Sequence, residues 1–146
     1  MKLPARDHHF LLFDGDCGLC NFSAAQAMRM EVRRRWRIIP FQDLSDAELQ
    51  ALGVTRTQCA RRLHAVSRSG RAYRGAFAVN FFLWQHPLWR LLVVLCYAVP
   101  LLLVLEIIAY AVIARYRHRL SRWLGLAACR APAAREQTAP PACRQP

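Results

Sequence analysis

Apolar positions divide this chain into short continuous runs and longer periodic stretches. Phe10 to Phe13 is a run of strand length that stops at the turn residues Asp14, Gly15 and Asp16. From Leu19 to about Arg34 the apolar residues Leu19, Phe22, Ala25, Met28 and Val32 recur at threes and fours, which predicts a helix with one face for packing on a sheet. Trp36 to Phe41 (WRIIPF) reads as a second strand, with Pro40 at its end or at an edge. A helix of this length supplies the crossover, so the two strands pair in parallel. Ser45 caps a short helix over 46–52, with Glu48 as its capping-box partner and Gly53 as its stop, and Thr55 opens a further turn through Cys59 and Arg62. Leu63 to Ser67 alternates apolar and polar positions, and after Arg68-Ser69-Gly70-Arg71 the run Ala72-Tyr73-Arg74 closes a hairpin. From Gly75 the segment AFAVNFFLW predicts a helix lying on the sheet.

Strand, helix, strand, helix, strand, strand, helix is the order of an α/β thioredoxin-like fold, a mixed four-stranded sheet with flanking helices. This core is expected over residues 8–87. In thioredoxin itself a proline precedes the third strand and faces the active site. Here Cys59-Ala60-Arg61-Arg62 stands at that place, which leaves open how a peptide or thiol substrate is held.

Past residue 87 the pattern changes. Between Arg74 and Arg115 the only formal charges are Arg90 and Glu106, and Pro100 divides the apolar run. Two helices, about 88–98 and 101–120, are expected in an apolar extension over 88–128 that completes the domain. Three placements of this extension stay open: packed against the core, resting as a helical hairpin in the cytoplasmic leaflet of a membrane, or crossing the bilayer, which takes about 20 apolar residues. A single span would leave arginines on both sides, against the positive-inside rule. Arg115 to Arg122 (RYRHRLSR) reads as a solvated, dipole-complementary helix end, or as part of a membrane contact through residues 88–122. Residues 129–146, rich in alanine and proline, predict a disordered tail in which Cys143 is incidental.

Composition narrows the function. The 146 residues suffice for one domain with an ordinary core, and the formal charge of +12 is almost all arginine, since Lys2 is the single lysine among 21 basic residues. Such a balance suits nucleic acid or an anionic membrane surface. The arginines are scattered, and no zinc finger, RNA-binding strand motif or helix-turn-helix pattern accompanies them, so no nucleic-acid partner is expected. Arg29, Arg33, Arg34 and Arg35 read as the solvated end of the first helix ahead of an anionic docking patch. Cys59, Cys96, Cys129 and Cys143 are spread through an apolar chain, which excludes a secreted disulfide scaffold. The start MKLPARDHH carries charge and proline where the apolar segment of a secretion signal belongs, so the expected location is the cytoplasm, with the inner face of the membrane within reach. His64 reads as a strand histidine rather than a catalytic base, Cys59 as a buried or helix-face thiol, and Trp84, Trp89 and Trp123 as core or interface residues.

Candidate chemistry sits between the first strand and the first helix, in FLLFDGDCGLC (Phe10 to Cys20). If a helix starts at this turn, a spacing of three puts the sulfurs of Cys17 and Cys20 on one face of its first turn, within disulfide reach. The free N–H groups and positive dipole end there favour the thiolate of Cys17, the species that attacks another disulfide. Cys20, one turn deeper, is then the resolving thiol. Asp14, Gly15 and Asp16 are supporting residues, and either carboxylate suits a local capping role, set against proton transfer. No cofactor is implied and no metal ligands are assigned. Two other uses of the pair remain: half of a zinc site, with His8 and His9 upstream but no second pair at finger spacing, and a structural disulfide, whose four-residue loop closes little entropy.

DGDCGLCN after an apolar strand resembles the signature of the DCC family of predicted thiol-disulfide oxidoreductases, small bacterial proteins regarded as thioredoxin-like. WRIIPFQ (Trp36 to Gln42), the hairpin around Ser69-Gly70, and RYRHRLSRWLG followed by Cys129 also sit in the family's order, so the resemblance spans about residues 8–132. It implies an enzyme of thiol-disulfide exchange. Cys17 thiolate attacks a substrate disulfide, a mixed disulfide forms, and Cys20 attacks it to release the reduced substrate, with reversal giving oxidation. The implied partner is a protein or a low-molecular-weight thiol or disulfide. The other class of function is a membrane-associated, non-enzymatic binding module whose CxxC holds a metal ion.

Overall fold

The computed structural model describes residues 7–31 and 35–126. The expected tail over 129–146, with Cys129 and Cys143, and the helix-end arginines Arg33 and Arg34 lie outside the described residues.

Among the described residues, four strands and six α-helices follow in the order β1 (His9–Phe13), α1 (Gly18–Met30), β2 (Trp36–Pro40), α2 (Asp46–Ala51), α3 (Arg56–Arg61), β3 (His64–Val66), β4 (Ala72–Arg74), α4 (Ala76–Trp84), α5 (Pro87–Ala98) and α6 (Pro100–Trp123). The sheet runs β2-β1-β3-β4, with β1 parallel to β2 and antiparallel to β3, and β3 antiparallel to β4. This mixed sheet with helices on both faces is the thioredoxin-like arrangement, carrying a C-terminal helical addition.

Why β1 is central follows from its sequence. Alternate side chains of a strand point to opposite faces, and Phe10-Leu11-Leu12-Phe13 is apolar at every position, so it can be covered on both. Phe10 and Leu12 join Ile39, Leu49, Val54 and Cys59 on the side of α2 and α3, whereas Leu11 and Phe13 join Ala24, Ala27, Ala78 and Phe82 on the side of α1 and α4.

Local signals set most of the boundaries. Ser45 with Glu48 and Thr55 with Gln58 form reciprocal capping boxes at the starts of α2 and α3, and Gly53 follows α2 at φ 76°. Pro87 and Pro100 each occupy a helix start, where the missing N–H costs nothing. The first helix ends at Met30 with Glu31 as its C-cap, where His86, between α4 and α5, bonds the Met30 carbonyl at 3.2 Å and Glu31 Oε1 accepts the Arg35 amide at 2.9 Å; the expected continuation over 32–34 lies outside the described residues. At the far end of β2, Phe41–Asp43 forms a single tight turn that carries Gln42 toward the end of β1.

Beyond α4 the chain does not leave the core. α6 crosses back over it, and Tyr110, Arg117 and Ser121 each make a contact to a core segment, as does Glu106 through Asn80 of α4 at 3.0 Å. The outer surfaces of α5 and α6 remain apolar and exposed. Among the described residues no single helix is long and apolar enough to cross a membrane; α5 and α6 reach that length and apolarity only together, and they are bent by 108° at Val99.

Candidate active site

β1 ends where the sheet meets α1, and the turn Asp14 to Asp16 delivers Cys17 as the N-cap residue of α1. The N-cap side chain ordinarily supplies an acceptor for an unpaired helix amide. Here the acceptor is sulfur: Cys17 Sγ takes the Cys20 N–H at 3.3 Å and the Cys20 S–H at 2.7 Å. Two donors converge on one sulfur, so its thiolate is stabilised. The Cys20 thiol donor lowers the Cys17 pKa to about 7 against the opposing effect of burial, with further help from the Cys20 amide and the Arg117 charge. Cys20 moves the opposite way, far above the ordinary thiol range, because its proton is held by Cys17 and burial disfavours a second charge there.

The turn before Cys17 is held by three residues that the sequence did not place at the site. Asn21 Nδ2 donates to the Gly15 carbonyl at 2.7 Å and to the Cys17 carbonyl at 3.1 Å. Gln42 donates to Asp14 Oδ1 at 2.7 Å and Asp16 Oδ2 at 3.3 Å, while its Oε1 accepts the Gly15 amide at 3.0 Å. Gly15 has little room for a side chain, since a Cβ would lie 3.0 Å from Pro40 Cβ. The third residue is Arg117, expected on a solvated helix end. Most of that arginine-rich run is exposed, but the Arg117 side chain is only 11% exposed and reaches Asp14 Oδ2 at 2.8 Å and the Ala60 carbonyl at 2.5 Å. Asn21, Gln42 and Arg117 all stand in the motif stretches DGDCGLCN, WRIIPFQ and RYRHRLSR, which was the signal available.

Asp14 is accordingly a buried hub. Its Oδ1 also accepts the Asp16 amide at 3.1 Å, and its ion pair with Arg117 ties the end of β1 to α6 across 103 residues. Asp16 is exposed beside it.

α6 also closes the site from above. Its C-terminal turn seats on Gly18, where an added Cβ would collide with the Leu126 carbonyl and Ser121 Oγ, and Ser121 Oγ itself donates to that carbonyl at 3.0 Å. Cys17 is 0% exposed, whereas Cys20 is partly open. Cys20 borders a cavity of about 430 Å³ between α1, α4 and α6, walled mostly by apolar residues such as Leu19, Phe22, Phe82 and Ile113. Immediately before β3, Leu63 donates its amide to Tyr110 Oη at 3.0 Å and its carbonyl accepts from Gly75 at 2.9 Å. Both of its main-chain groups are used within the fold.

The remaining candidates lie elsewhere. His9 begins β1, at the opposite end of the strand from the cysteines, and packs against Trp36 and Phe81. Among the described residues no group of three or more His, Cys, Asp and Glu side chains is placed to share a metal ion. His64 is buried, pairs in register with Leu12 and bonds the Arg62 carbonyl at 2.9 Å, the environment of a strand histidine. Burial pushes the Cys59 thiol up to about 11 on the α2 and α3 side of the sheet, away from the pair. Trp84, Trp89 and Trp123 are each exposed by two fifths or more, so none is a core residue.

A family model described as DCC1-like thiol-disulfide oxidoreductase matches residues 11–123, a span that contains the Cys17–Cys20 pair, Gln42 and Arg117. The chain belongs to the DCC1-like family. No curated protein and no solved structure matches it. The family match and the dithiol together identify this DCC1-like protein as a thiol-disulfide oxidoreductase.

Proposed function

We propose that this DCC1-like protein exchanges disulfides with a protein or low-molecular-weight partner, Cys17 acting as the nucleophile and Cys20 as the resolving thiol. The observation that carries this order is the convergence of the Cys20 S–H and N–H on Cys17 Sγ, with Arg117 nearby, which makes Cys17 the more acidic thiol of the pair. In the forward direction Cys17 thiolate attacks one sulfur of the substrate disulfide. That S–S bond breaks, a mixed disulfide forms, and the first substrate thiolate leaves. Cys20 then gives up its proton to the departing sulfur and attacks Cys17 Sγ, so the second substrate thiol is released and the protein holds the Cys17–Cys20 disulfide. Two electrons pass from the pair to the substrate, and the reverse sequence oxidises a dithiol. Because Cys17 is 0% exposed, exchange requires a local opening that bares its sulfur, and the α6 end that seats on the neighbouring Gly18 is the nearest segment shown to pack there.

Thiol labelling followed by mass spectrometry tests the order. A Cys20→Ser variant mixed with a model disulfide should accumulate a mixed disulfide through Cys17, and the intact pair should titrate as a two-electron couple in a redox buffer series. A mixed disulfide found on Cys20 in the Cys17→Ser variant, with none on Cys17 in the converse variant, would reverse the assignment. A metal assay on protein purified under reducing conditions addresses the binding-module alternative, which predicts one ion per chain.

A further inference from the structure

α5 and α6 present a surface that a water-facing domain does not ordinarily carry. On α5, Leu88, Leu91, Leu92 and Leu95 are 46–82% exposed, and Val93 is its single buried residue. On α6, Leu101, Leu105, Ile108 and Val112 are 52–75% exposed and follow one another at steps of four, three and four, so they form one stripe along the helix. Apolar patches that continue over two whole helices mark a binding surface.

The charges on the same elements say what kind of surface it meets. The α6 stripe continues at the same spacing into Arg115, Arg119 and Arg122, all exposed, so one face of one helix passes from apolar to cationic along its length. Tyr116 and Trp123, the latter 82% exposed, accompany the arginines. Glu106 is the only carboxylate in either helix, and it is turned inward onto the buried Asn80. What faces outward is therefore hydrocarbon, aromatic rings and positive charge. A second polypeptide would not need that gradient, whereas an anionic bilayer matches it in order: acyl chains against the leucines, headgroups against the arginines, aromatic side chains at the boundary.

We propose that α5 and α6 dock this protein on one leaflet of an anionic membrane, lying in the interface without crossing it. The apolar portion of α6 before Arg115 is shorter than the about 20 residues of a span, and the 108° bend at Val99 turns α5 away rather than extending it. Docking this way has a consequence for the site. Phe22 and Ile113 line the cavity beside Cys20 and are themselves 49% and 47% exposed, so the cavity rim adjoins the face that meets lipid. Membrane attachment does not depend on which thiol reacts first, so it stands or falls separately from the exchange mechanism.

Full-length protein sedimented with vesicles provides the test. It should pellet with vesicles of phosphatidylcholine containing phosphatidylglycerol, pellet far less with phosphatidylcholine alone, and be partly released by salt. Replacing Arg115, Arg119 and Arg122 together by Gln should weaken partitioning into the anionic vesicles about a hundredfold, since three headgroup attractions are removed. Leu91→Glu combined with Leu101→Glu should abolish it. Unchanged far-UV circular dichroism and an unchanged Cys17 alkylation rate in both variants establish that the fold and the pair are intact. Wild-type protein that stays in the supernatant with anionic vesicles overturns the proposal, whether it is monomeric or a dimer that covers the face with a second copy. So does an arginine variant that binds as well as wild type.

Discussion

At the scale of single residues the chemistry turns on charges placed around one sulfur. Arg117 lowers the Cys17 pKa and Asp14 raises it, so the members of one ion pair act in opposite directions on the thiol. Iodoacetamide alkylation of Cys17 should rise with pH through a midpoint of about 7, because the thiolate is the reacting form and is already half populated there. Arg117→Gln should move that midpoint upward and slow the reaction at neutral pH, whereas Asp14→Asn should move it downward. Arg117→Gln should also destabilise the fold by about 3 kcal/mol, measured by urea unfolding, because the Asp14 carboxylate is left buried without its cation. A shared direction of the two midpoints would dismiss the electrostatic account. The cysteines and the turn carboxylates were legible in the sequence because their meaning is local: spacing, a turn, a helix start. Arg117 and Gln42 were not, since only the fold carries residues 103 and 28 positions away to Asp14.

At the scale of elements, the same distinction separates what was read from what was missed. The starts of α2 and α3 are written in four residues each, and the hairpin in its turn, so their positions follow from the sequence. The last carbonyl of α1, that of Met30, is bonded by His86, more than fifty positions later, and no local pattern announces that partner. Two substitutions separate local from long-range control. Ser45→Ala removes a cap and should cost about 1 kcal/mol while leaving the alkylation of Cys17 unchanged. Gly18→Ala places a methyl against the Leu126 carbonyl and Ser121 Oγ, which must shift, at about 1–3 kcal/mol. Because that contact lies beside Cys17, Gly18→Ala should also speed Cys17 alkylation under native conditions. Equal or slower alkylation would mean that the end of α6 does not control access to the nucleophile.

At the scale of the molecule, the division expected at residue 87 separates a redox core from an extension, yet the extension carries part of the site. Arg117 supplies the cation beside Asp14, Tyr110 satisfies the Leu63 amide, and the turn at Ser121 covers Gly18. A chain ending at residue 87 would retain both cysteines and all four strands, but it would lose all three contacts and expose the walls of the cavity beside Cys20. Loss of Tyr110 alone leaves a partly buried amide without a partner, which costs about 1–3 kcal/mol. Tyr110→Phe in the full chain is the milder form of the same experiment. It should lower stability by that amount and speed hydrogen exchange at Leu63, while the Cys17 midpoint stays near its wild-type value because Arg117 remains. The chain ending at residue 87 should show that midpoint displaced upward and poor cooperativity in thermal unfolding. If it instead unfolds cooperatively with the midpoint still about 7, then α5 and α6 serve attachment alone and the redox unit ends before them.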